Sequence, residues 1–291
     1  MRIVAVGVVL VGALAWAGTP DPIAKLFAGL ASEGGAVPAA VKPPRFAFTL
    51  DDTSVDSHDL GSLRFANNLP SETTAAKPTI ATSADGKATW ITTNLAVVKA
   101  CAEIIDDSTG DAEHYRPDYC RKLDTNAWFR GAAVFERAGV QWQPVAWHVY
   151  GRRFGQAKAT APLAKLERAV DKGAEDAVTS FETTLGDPKA FAATVSDRGD
   201  VTLAGSEKAE LVIGGANVRA TLAKWGLAFK VHDALRAGVT ASASVVWIAA
   251  NLEASKAKQK PALYRALIVY ERGAKSWQIV QLSFSSASSD P

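Results

Sequence analysis

The sequence predicts an α+β protein built from two copies of one small domain, each ending in a pair of antiparallel strands. Three observations support this prediction. The chain of 291 residues is longer than the roughly 100 to 200 residues of one typical domain. Hydrophobic residues make up 48% and charged residues 21% of the chain, as is usual for folded globular proteins. The chain also repeats itself, and this third observation specifies two copies.

The repeat is carried by two blocks of residues. The first block, 90–95, reads WITTNL and returns as WIAANL at 247–252 (247 − 90 = 157 positions later). In the second block, nine positions recur at a constant spacing (264 − 129 = 135), two of them with phenylalanine and tyrosine exchanged. In the first copy these nine positions are Phe129, Arg130, Val134, Phe135, Glu136, Arg137, Trp142, Gln143 and Val145. So many matches in the same order predict a duplication.

The two spacings differ by 157 − 135 = 22, so the first copy carries an insertion, which we place at 96–123. The two cysteines of the chain, Cys101 and Cys120, both lie there. In an oxidising compartment, two cysteines that flank one loop favour a disulfide over a metal pair, and a redox pair would have C-x-x-C spacing. We therefore expect a disulfide that staples the insertion and stabilises the fold by about 3 kcal/mol.

The first segment is typical of an export signal. Residues 1–17 combine Arg2, an apolar run and a small-residue A-W-A cleavage site, which together predict a signal peptide. The alternative, a membrane anchor, needs about 20 apolar residues, more than this run supplies. We expect a periplasmic or secreted protein with no membrane span after signal cleavage. The formal net charge of only +2 argues against nucleic acid as a partner.

Local patterns predict helices first and then an antiparallel sheet in each copy. Residues 88–99 and 240–253 are rich in Val, Ile, Thr and Trp, so each range predicts a long strand. Short glycine-containing connections predict one hairpin in each copy. These hairpins pair 127–137 with 141–150 and 263–272 with 277–285. Helical spacing of apolar residues predicts a helix over 162–185, and Asp-Pro pairs at 21–22 and 187–188 predict further helix starts.

The order of these elements resembles a known superfamily. Helices, a long strand and a hairpin whose last strand reads WQIVQLSFS at 277–285 are similar to the SnoaL-like branch of the nuclear-transport-factor-2-like superfamily. The resemblance implies two tandem cone-shaped domains, in which helices pack on a curved antiparallel sheet and leave a pocket. The expected divisions are a signal peptide at 1–17, a first SnoaL-like domain at 21–153, a linker or helix at 154–168, a second SnoaL-like domain at 169–286 and a polar tail at 287–291. The superfamily includes isomerases, cyclases, hydrolases, binding modules and inert subunits, so the fold does not specify the function.

The resemblance points to the last strand of each copy, which in related sequences often carries a polar residue or histidine four and six places after its tryptophan. Those positions are Gln281 and Ser283 in the second copy and Ala146 and His148 in the first. Gln281, Ser283 and His148 are therefore the candidate ligand-binding residues. His148 is also the best candidate general base, although we favour the alternative of a partly buried sheet histidine hydrogen-bonded to its neighbours. Since the copies differ here, we expect one copy to retain a binding pocket and the other to be structural.

A carboxylate and a tyrosine form the second candidate set. Ketosteroid isomerase, which has this kind of cone, uses a carboxylate base with a tyrosine and a protonated carboxyl group as oxyanion donors. Asp200, Asp233 and Tyr264 supply these residue types, but no spacing makes them converge, so Asp233 and Tyr264 are weak catalytic candidates. Glu136 and Glu271 recur beside the hairpin turns, where we expect them to be solvated and structural.

The function expected from the sequence is that of an exported, non-catalytic protein that binds a small apolar ligand or a protein partner through a cone-shaped pocket. The alternative is an isomerase- or hydrolase-like enzyme that acts in one of the two pockets with His148 or Asp233 as the base. The chain contains no H-E-x-x-H, C-x-x-C or G-x-S-x-G motif and no phosphate-loop pattern, so we expect no metal site and no cofactor. An internal pseudo-dimer is an arrangement that the duplication permits.

Overall fold

Two sheets and five helices make up the part of the chain that the computed structural model describes, residues 21–32, 35–50, 54–55, 59–67, 72–99, 127–152, 160–163, 165–256 and 259–288. The signal peptide, both cysteines and most of the insertion lie outside the described residues, so the signal and the disulfide between Cys101 and Cys120 stay predictions. No described helix is long and apolar enough to cross a membrane.

The elements follow one another in two similar series. The helices are α1 (Pro22–Ala31), α2 (Leu60–Asn67), α3 (Glu175–Thr184), α4 (Pro188–Ala193) and α5 (Gly215–Trp225). The strands of the first series are β1 (Phe46–Phe48), β2 (Ser54–Val55), β3 (Glu72–Thr82), β4 (Ala88–Lys99), β5 (Trp128–Ala138) and β6 (Gln141–Arg152). The later strands are β7 (Thr160–Pro162), β8 (Ala169–Val170), β9 (Thr202–Ala204), β10 (Leu211–Ile213), β11 (Ala228–Val239), β12 (Val245–Ser255), β13 (Ala262–Arg272) and β14 (Trp277–Ser288).

The first sheet has six strands in the order β2-β1-β6-β5-β4-β3. Strands β3 to β6 pair antiparallel in sequence order, and β1 pairs with β6 in parallel. The strand expected at 88–99 is confirmed as β4, and the expected hairpin is confirmed as β5 and β6. The β-branched and aromatic residues that predicted these strands therefore lie in the central part of the sheet.

The second sheet has eight strands: its main order is β10-β9-β14-β13-β12-β11-β8, and β7 pairs in parallel with the end of β14. Its three central strands repeat the register of the first sheet, since Trp90 lies opposite Val134 and Trp247 lies opposite Val269. Both hairpins also carry a register shift at the equivalent place, directly after Val134 and after Val269. Such a bulge bends the strand and increases its twist.

Helices cover one face of each sheet. In α1 the side chains of Phe27 and Leu30 are fully buried, each burial being worth roughly 1.5–3 kcal/mol. Asp21 caps this helix by accepting the Ile23 N–H at 2.8 Å. Helices α3, α4 and α5 pack on the second sheet, and Asp187 caps α4 in the same way. Both predicted Asp-Pro helix starts are confirmed.

The opposite faces of the two sheets pack against each other. Phe46 and Trp90 of the first sheet share one buried cluster with Trp247 of the second, and the rings of Phe46 and Trp247 stack with their centroids 5.8 Å apart. Because successive residues of a strand point to opposite faces, the neighbours Ile91 and Ile248 face the helices. The layers are therefore helices, sheet, sheet and helices.

Two predicted boundaries are wrong. The helix expected at 162–185 begins only at Glu175, and the described residues before it form β7, β8 and connecting chain. Leu166, part of the apolar pattern that predicted the helix, is instead buried between the sheets. The strand expected from residue 240 begins at Val245, because Thr240 starts a turn in which its hydroxyl bonds the N–H and the carbonyl of Val245 at 3.3 and 3.2 Å.

Candidate functional site: a cavity in the second half

A cavity of about 290 Å³ lies on the helix-covered side of the second sheet. The end of α5, the start of β11, the first part of β13 and the last part of β14 surround it, together with the loop 205–210 that joins β9 to β10. We call this loop the wall loop. Because the cavity lies between a sheet and its covering helix, its lining comes from elements that are far apart in sequence.

The main wall of the cavity is aromatic. Phe229 and Phe284 stack with ring centroids 5.5 Å apart and ring planes 9° apart, and Trp225 meets Phe284 edge-on at 6.4 Å. Trp225 is the last residue of α5, and Gly226 ends this helix with a left-handed φ of 59°, which turns the chain towards β11. Tyr264 also lines the cavity. Four aromatic side chains therefore meet at one place.

Tyr264 is the one predicted site residue that lines this cavity. Burial raises the pKa of its phenol, and the carboxylates of Glu210 and Glu207 raise it further. The phenol is therefore neutral at neutral pH and can donate or accept a hydrogen bond. Glu210 and the exposed Lys224 and Lys256 supply charged groups at the edge. An apolar lining with a few polar groups is typical of small-molecule sites.

The wall loop is held by hydrogen bonds from within and from the first half of the chain. Within the loop, the Gly205 N–H donates to the Glu210 carbonyl at 2.7 Å. From β6, the buried hydroxyl of Tyr150 donates to the Gly205 carbonyl at 3.1 Å. From β5, the buried guanidinium of Arg130 donates to four carbonyls of the loop at 2.7–3.2 Å. Residues of the first half therefore contact the wall of a cavity in the second half.

His148 lies between the two sheets, away from the cavity. It is fully buried, and its Nδ1 and Nε2 atoms are 3.1 Å and 3.0 Å from the hydroxyls of Ser283 and Ser285. Its ring centroid is 4.7 Å from that of Tyr150. Burial lowers the pKa of His148 well below its usual value, and the positive charge of Arg265 lowers it further, so the ring is neutral. This placement is that of a sheet histidine hydrogen-bonded to its neighbours, but the ring is fully buried and not partly buried as expected.

Gln281 and Ser283, the other candidate ligand-binding residues, lie in the same layer between the sheets. The Gln281 Nε2 atom donates to the Ile91 carbonyl at 2.7 Å and to the Thr92 hydroxyl at 2.6 Å. Ser283 bonds His148. The three candidates are therefore used in contacts between the two halves, and none of them lines the cavity.

The predicted carboxylate and tyrosine set is not assembled. Asp233 is exposed and accepts a hydrogen bond at 3.0 Å from Asn251, which is on the sheet face opposite to Tyr264. Asp200 pairs with Arg198 at 2.7 Å, and this hydrogen bond lowers its pKa. Across the described ranges, no group of three or more His, Cys, Asp or Glu side chains could hold a metal ion.

Glu271 is buried and not the solvated flank expected, whereas Glu136 makes its hydrogen bond at an exposed position; both have a structural role, because both bind across the two halves. Glu271 is only 9% exposed, and its carboxylate accepts the Ala84 N–H at 2.8 Å and pairs with Arg198 at 2.7 Å. Glu136 accepts the Ala241 N–H at 2.9 Å. Ala84 and Ala241 occupy the turns before β4 and β12, so the two contacts are reciprocal. The recurrence of the glutamates was the signal for this interaction.

Sequence reasoning missed Arg130 and Trp225 as site residues. Arg130 and Arg265 recur inside apolar strands, and a charged residue at such a place signals a buried group with partners. That signal was available. For Trp225, by contrast, nothing in the local sequence distinguishes a core position from a half-buried position on a cavity.

Comparison with known proteins bears on the fold alone. No protein-family model and no curated protein matches the chain. Similar solved structures include an NTF2-like protein of unknown function from Pseudomonas putida KT2440, at 14% identity over 37% of this chain and 80% of that chain, with a TM-score of 0.31. A candidate ketosteroid isomerase from Parabacteroides distasonis has 20% identity over 38% and 84%, with a TM-score of 0.31. An uncharacterized protein with a cystatin-like fold from Caulobacter vibrioides has 10% identity over 41% and 93%, with a TM-score of 0.33.

These similarities each extend over roughly two fifths of this chain or less. The architecture of the described residues is mixed α+β, with two sheets and few helices.

Proposed function

We propose that this protein is exported and non-catalytic, and that it binds a small, largely apolar molecule in the cavity of its second half. The observation that carries the proposal is the wall formed by Trp225, Phe229, Tyr264 and Phe284. The volume of about 290 Å³ is close to the lower end of the roughly 300–1,000 Å³ of small-molecule pockets. A small molecule with a flat apolar part would gain both from removal of its surface from water and from ring stacking.

The proposal includes two tandem cone-shaped domains that form an internal pseudo-dimer with their sheets face to face. In its support, β4, β5 and β6 pair in the same order and register as β12, β13 and β14. Strand β1 joins β6 in parallel, as β9 joins β14. The reciprocal contacts of Glu136 and Glu271 are those expected across a pseudo-two-fold axis between two such domains.

An enzyme is the weaker alternative, because the two predicted bases lie away from the cavity. His148 is buried between the sheets, and Asp233 is on the other side of the second sheet from Tyr264. A base for an isomerase- or hydrolase-like reaction would have to come from Glu210, whose Oε2 atom accepts the Glu207 N–H at 3.0 Å. Glu210 is thus already used in shaping the wall loop.

Native mass spectrometry of protein recovered from an exporting host, compared with its denatured mass, tests the proposal as a whole. We expect an additional non-covalent mass on the folded chain and a mature N-terminus at Gly18. A bare chain that also fails to bind the fluorescent probe 8-anilinonaphthalene-1-sulfonate would count against ligand binding. An intact Met1 on exported protein would count against signal cleavage.

Titration with the same probe tests the site. Leu227→Trp adds volume to a side chain that lines the cavity, whereas Val140→Trp adds the same side chain at a 90% exposed turn position between β5 and β6. We expect Leu227→Trp to weaken binding of the probe at least about tenfold and Val140→Trp to change it less than about twofold. Equal affinity of the two variants would place the probe elsewhere and contradict the assignment.

A further inference from the structure

The wall loop surrounds a side chain that belongs to the other half of the molecule. Arg130 is fully buried, and its Nη1 atom donates to the carbonyls of Gly205, Glu207 and Glu210 at 3.1, 3.2 and 3.0 Å. Its Nη2 atom donates to the Lys208 carbonyl at 2.7 Å. Four carbonyls from six consecutive residues therefore point at one guanidinium.

The bonds of Arg130 satisfy a charge that could not otherwise be buried. Its Nε atom donates to the Asn94 side chain at 3.0 Å, and its two Nη atoms donate to backbone carbonyls of the wall loop. A buried guanidinium is tolerated only when its N–H groups are hydrogen-bonded. Any movement of the loop away from Arg130 would leave this buried charge without its hydrogen-bond acceptors. The contact therefore restrains the loop as strongly as it restrains the arginine.

The restrained loop is part of the proposed binding site. Gly205, Ser206 and Glu210 line the cavity, and two of these three residues offer their carbonyls to Arg130. Tyr150 adds a second bond from the first half to Gly205. The position of one cavity wall thus depends on two side chains from neighbouring strands of the other sheet.

We propose that Arg130 is a positioning residue, and that the first half of the chain acts as a built-in partner that holds the ligand cavity of the second half in its binding shape. This inference rests on the proposed ligand binding at the same cavity. Arg130 itself does not line the cavity, so its effect on a ligand is transmitted through the backbone of the wall loop.

Hydrogen exchange and probe titration together test the inference. Arg130→Met keeps the length and apolar stem of the side chain and removes its donors. We expect faster exchange of the Gly205 and Glu210 amides, unchanged exchange in the centre of β13, and at least about tenfold weaker binding of 8-anilinonaphthalene-1-sulfonate. Arg198→Met is the matched control, since Arg198 also crosses between the halves, to the Thr82 carbonyl, and pairs with Glu271 in its own half, without lining the cavity.

The control variant should lose stability but bind the probe within about twofold of the unaltered protein. Tyr150→Phe removes a single hydrogen bond to the wall loop and provides a second variant if Arg130→Met does not fold. It should speed amide hydrogen exchange in the loop and weaken binding of the probe a few-fold. The inference would be overturned if the folded variants showed unchanged amide hydrogen exchange in the wall loop. It would also be overturned if Arg198→Met lost as much affinity for the probe as Arg130→Met. If the unaltered protein binds no probe, the proposed function fails. Amide hydrogen exchange of the wall loop in Arg130→Met then tests the positioning role of Arg130 by itself.

Discussion

His148 meets Ser283 with 3.1 Å between its Nδ1 atom and the serine hydroxyl, although the two residues are 135 positions apart in the chain (283 − 148 = 135). Each stands six places after the tryptophan of its own hairpin, Trp142 or Trp277. Equivalent positions of the repeat are therefore in direct contact between the two sheets. The neutral imidazole is bonded at both nitrogens, because Ser285 contacts Nε2 at 3.0 Å.

The buried His148 predicts a loss of stability at mildly acidic pH. Its folded-state pKa is depressed, so below about pH 6.5 the unfolded chain binds a proton that the folded chain does not. The stability contributed by the neutral ring is complete above pH 6.5 and falls by up to about 1.4 kcal/mol per pH unit below it. Urea unfolding between pH 5 and 8 measures this slope. His148→Gln should reduce the slope; a slope equal to that of the unaltered protein would contradict the assignment.

Removal of the two reciprocal glutamates should have unequal effects. Glu271→Ala removes the acceptor of the partly buried hydrogen bond from the Ala84 N–H and an ion pair with Arg198, so we expect a loss of about 1–3 kcal/mol in the free energy of unfolding. Glu136→Ala removes a bond at an exposed position and should cost about 0.5 kcal/mol. Urea denaturation of both variants gives the comparison. A larger loss for Glu136→Ala would mean that burial does not govern these contacts.

Two turn positions should respond with opposite signs to exchange of glycine and alanine. Gly86 and Ala243 stand at equivalent places before β4 and β12 and have left-handed φ values of 69° and 54°. A methyl group at Gly86 would meet no atom within 4 Å, so only the backbone strain differs. Ala243→Gly should stabilise and Gly86→Ala should destabilise, each by about 1 kcal/mol. Thermal unfolding measures both changes, and shifts of the same sign would refute the explanation.

Tyr270 carries a buried hydroxyl that has no hydrogen-bond partner among the described residues, and the equivalent residue of the first half is Phe135. Removal of an unsatisfied polar atom favours the folded state, so Tyr270→Phe should raise the free energy of unfolding by about 1 kcal/mol. The reverse exchange, Phe135→Tyr, buries a hydroxyl in the core of the first half and should lower it by about 1–3 kcal/mol. A loss of stability in Tyr270→Phe would reveal a partner for the hydroxyl.

The sequence predicted the central strands well because their signal is local. Strand β4 has the predicted bounds, and both hairpins lie within a few residues of their expected positions. Strand β11 was missed because Lys230, His232 and Asp233 interrupt its apolar pattern, and a register shift between Val231 and Leu235 breaks the alternation. Strand β11 is stabilised by its pairing with β12, and a local sequence pattern does not reveal such pairing.

The candidate site was less predictable because a bulge reversed the faces of the last strand. By simple alternation, Gln281 and Ser283 would share the helix-covered face with Trp277. The extra residue in β14 places them on the face towards the first sheet, while Leu282 and Phe284 turn towards the helices. The bulge near Val145 has the same effect on His148. The polar positions were therefore identified by resemblance, and their surroundings were determined by one inserted residue.

The shared cluster between the sheets also bears on the order in which the chain acquires structure. Phe46 and Trp90 belong to the part that is synthesised first, but the tryptophan against which Phe46 stacks, Trp247, belongs to the part that is synthesised last. Until that part arrives, the inward face of the first sheet remains in contact with water and is open to association with other chains. The two halves should therefore melt in one cooperative calorimetric transition, and a chain that ends near residue 152 should aggregate rather than fold.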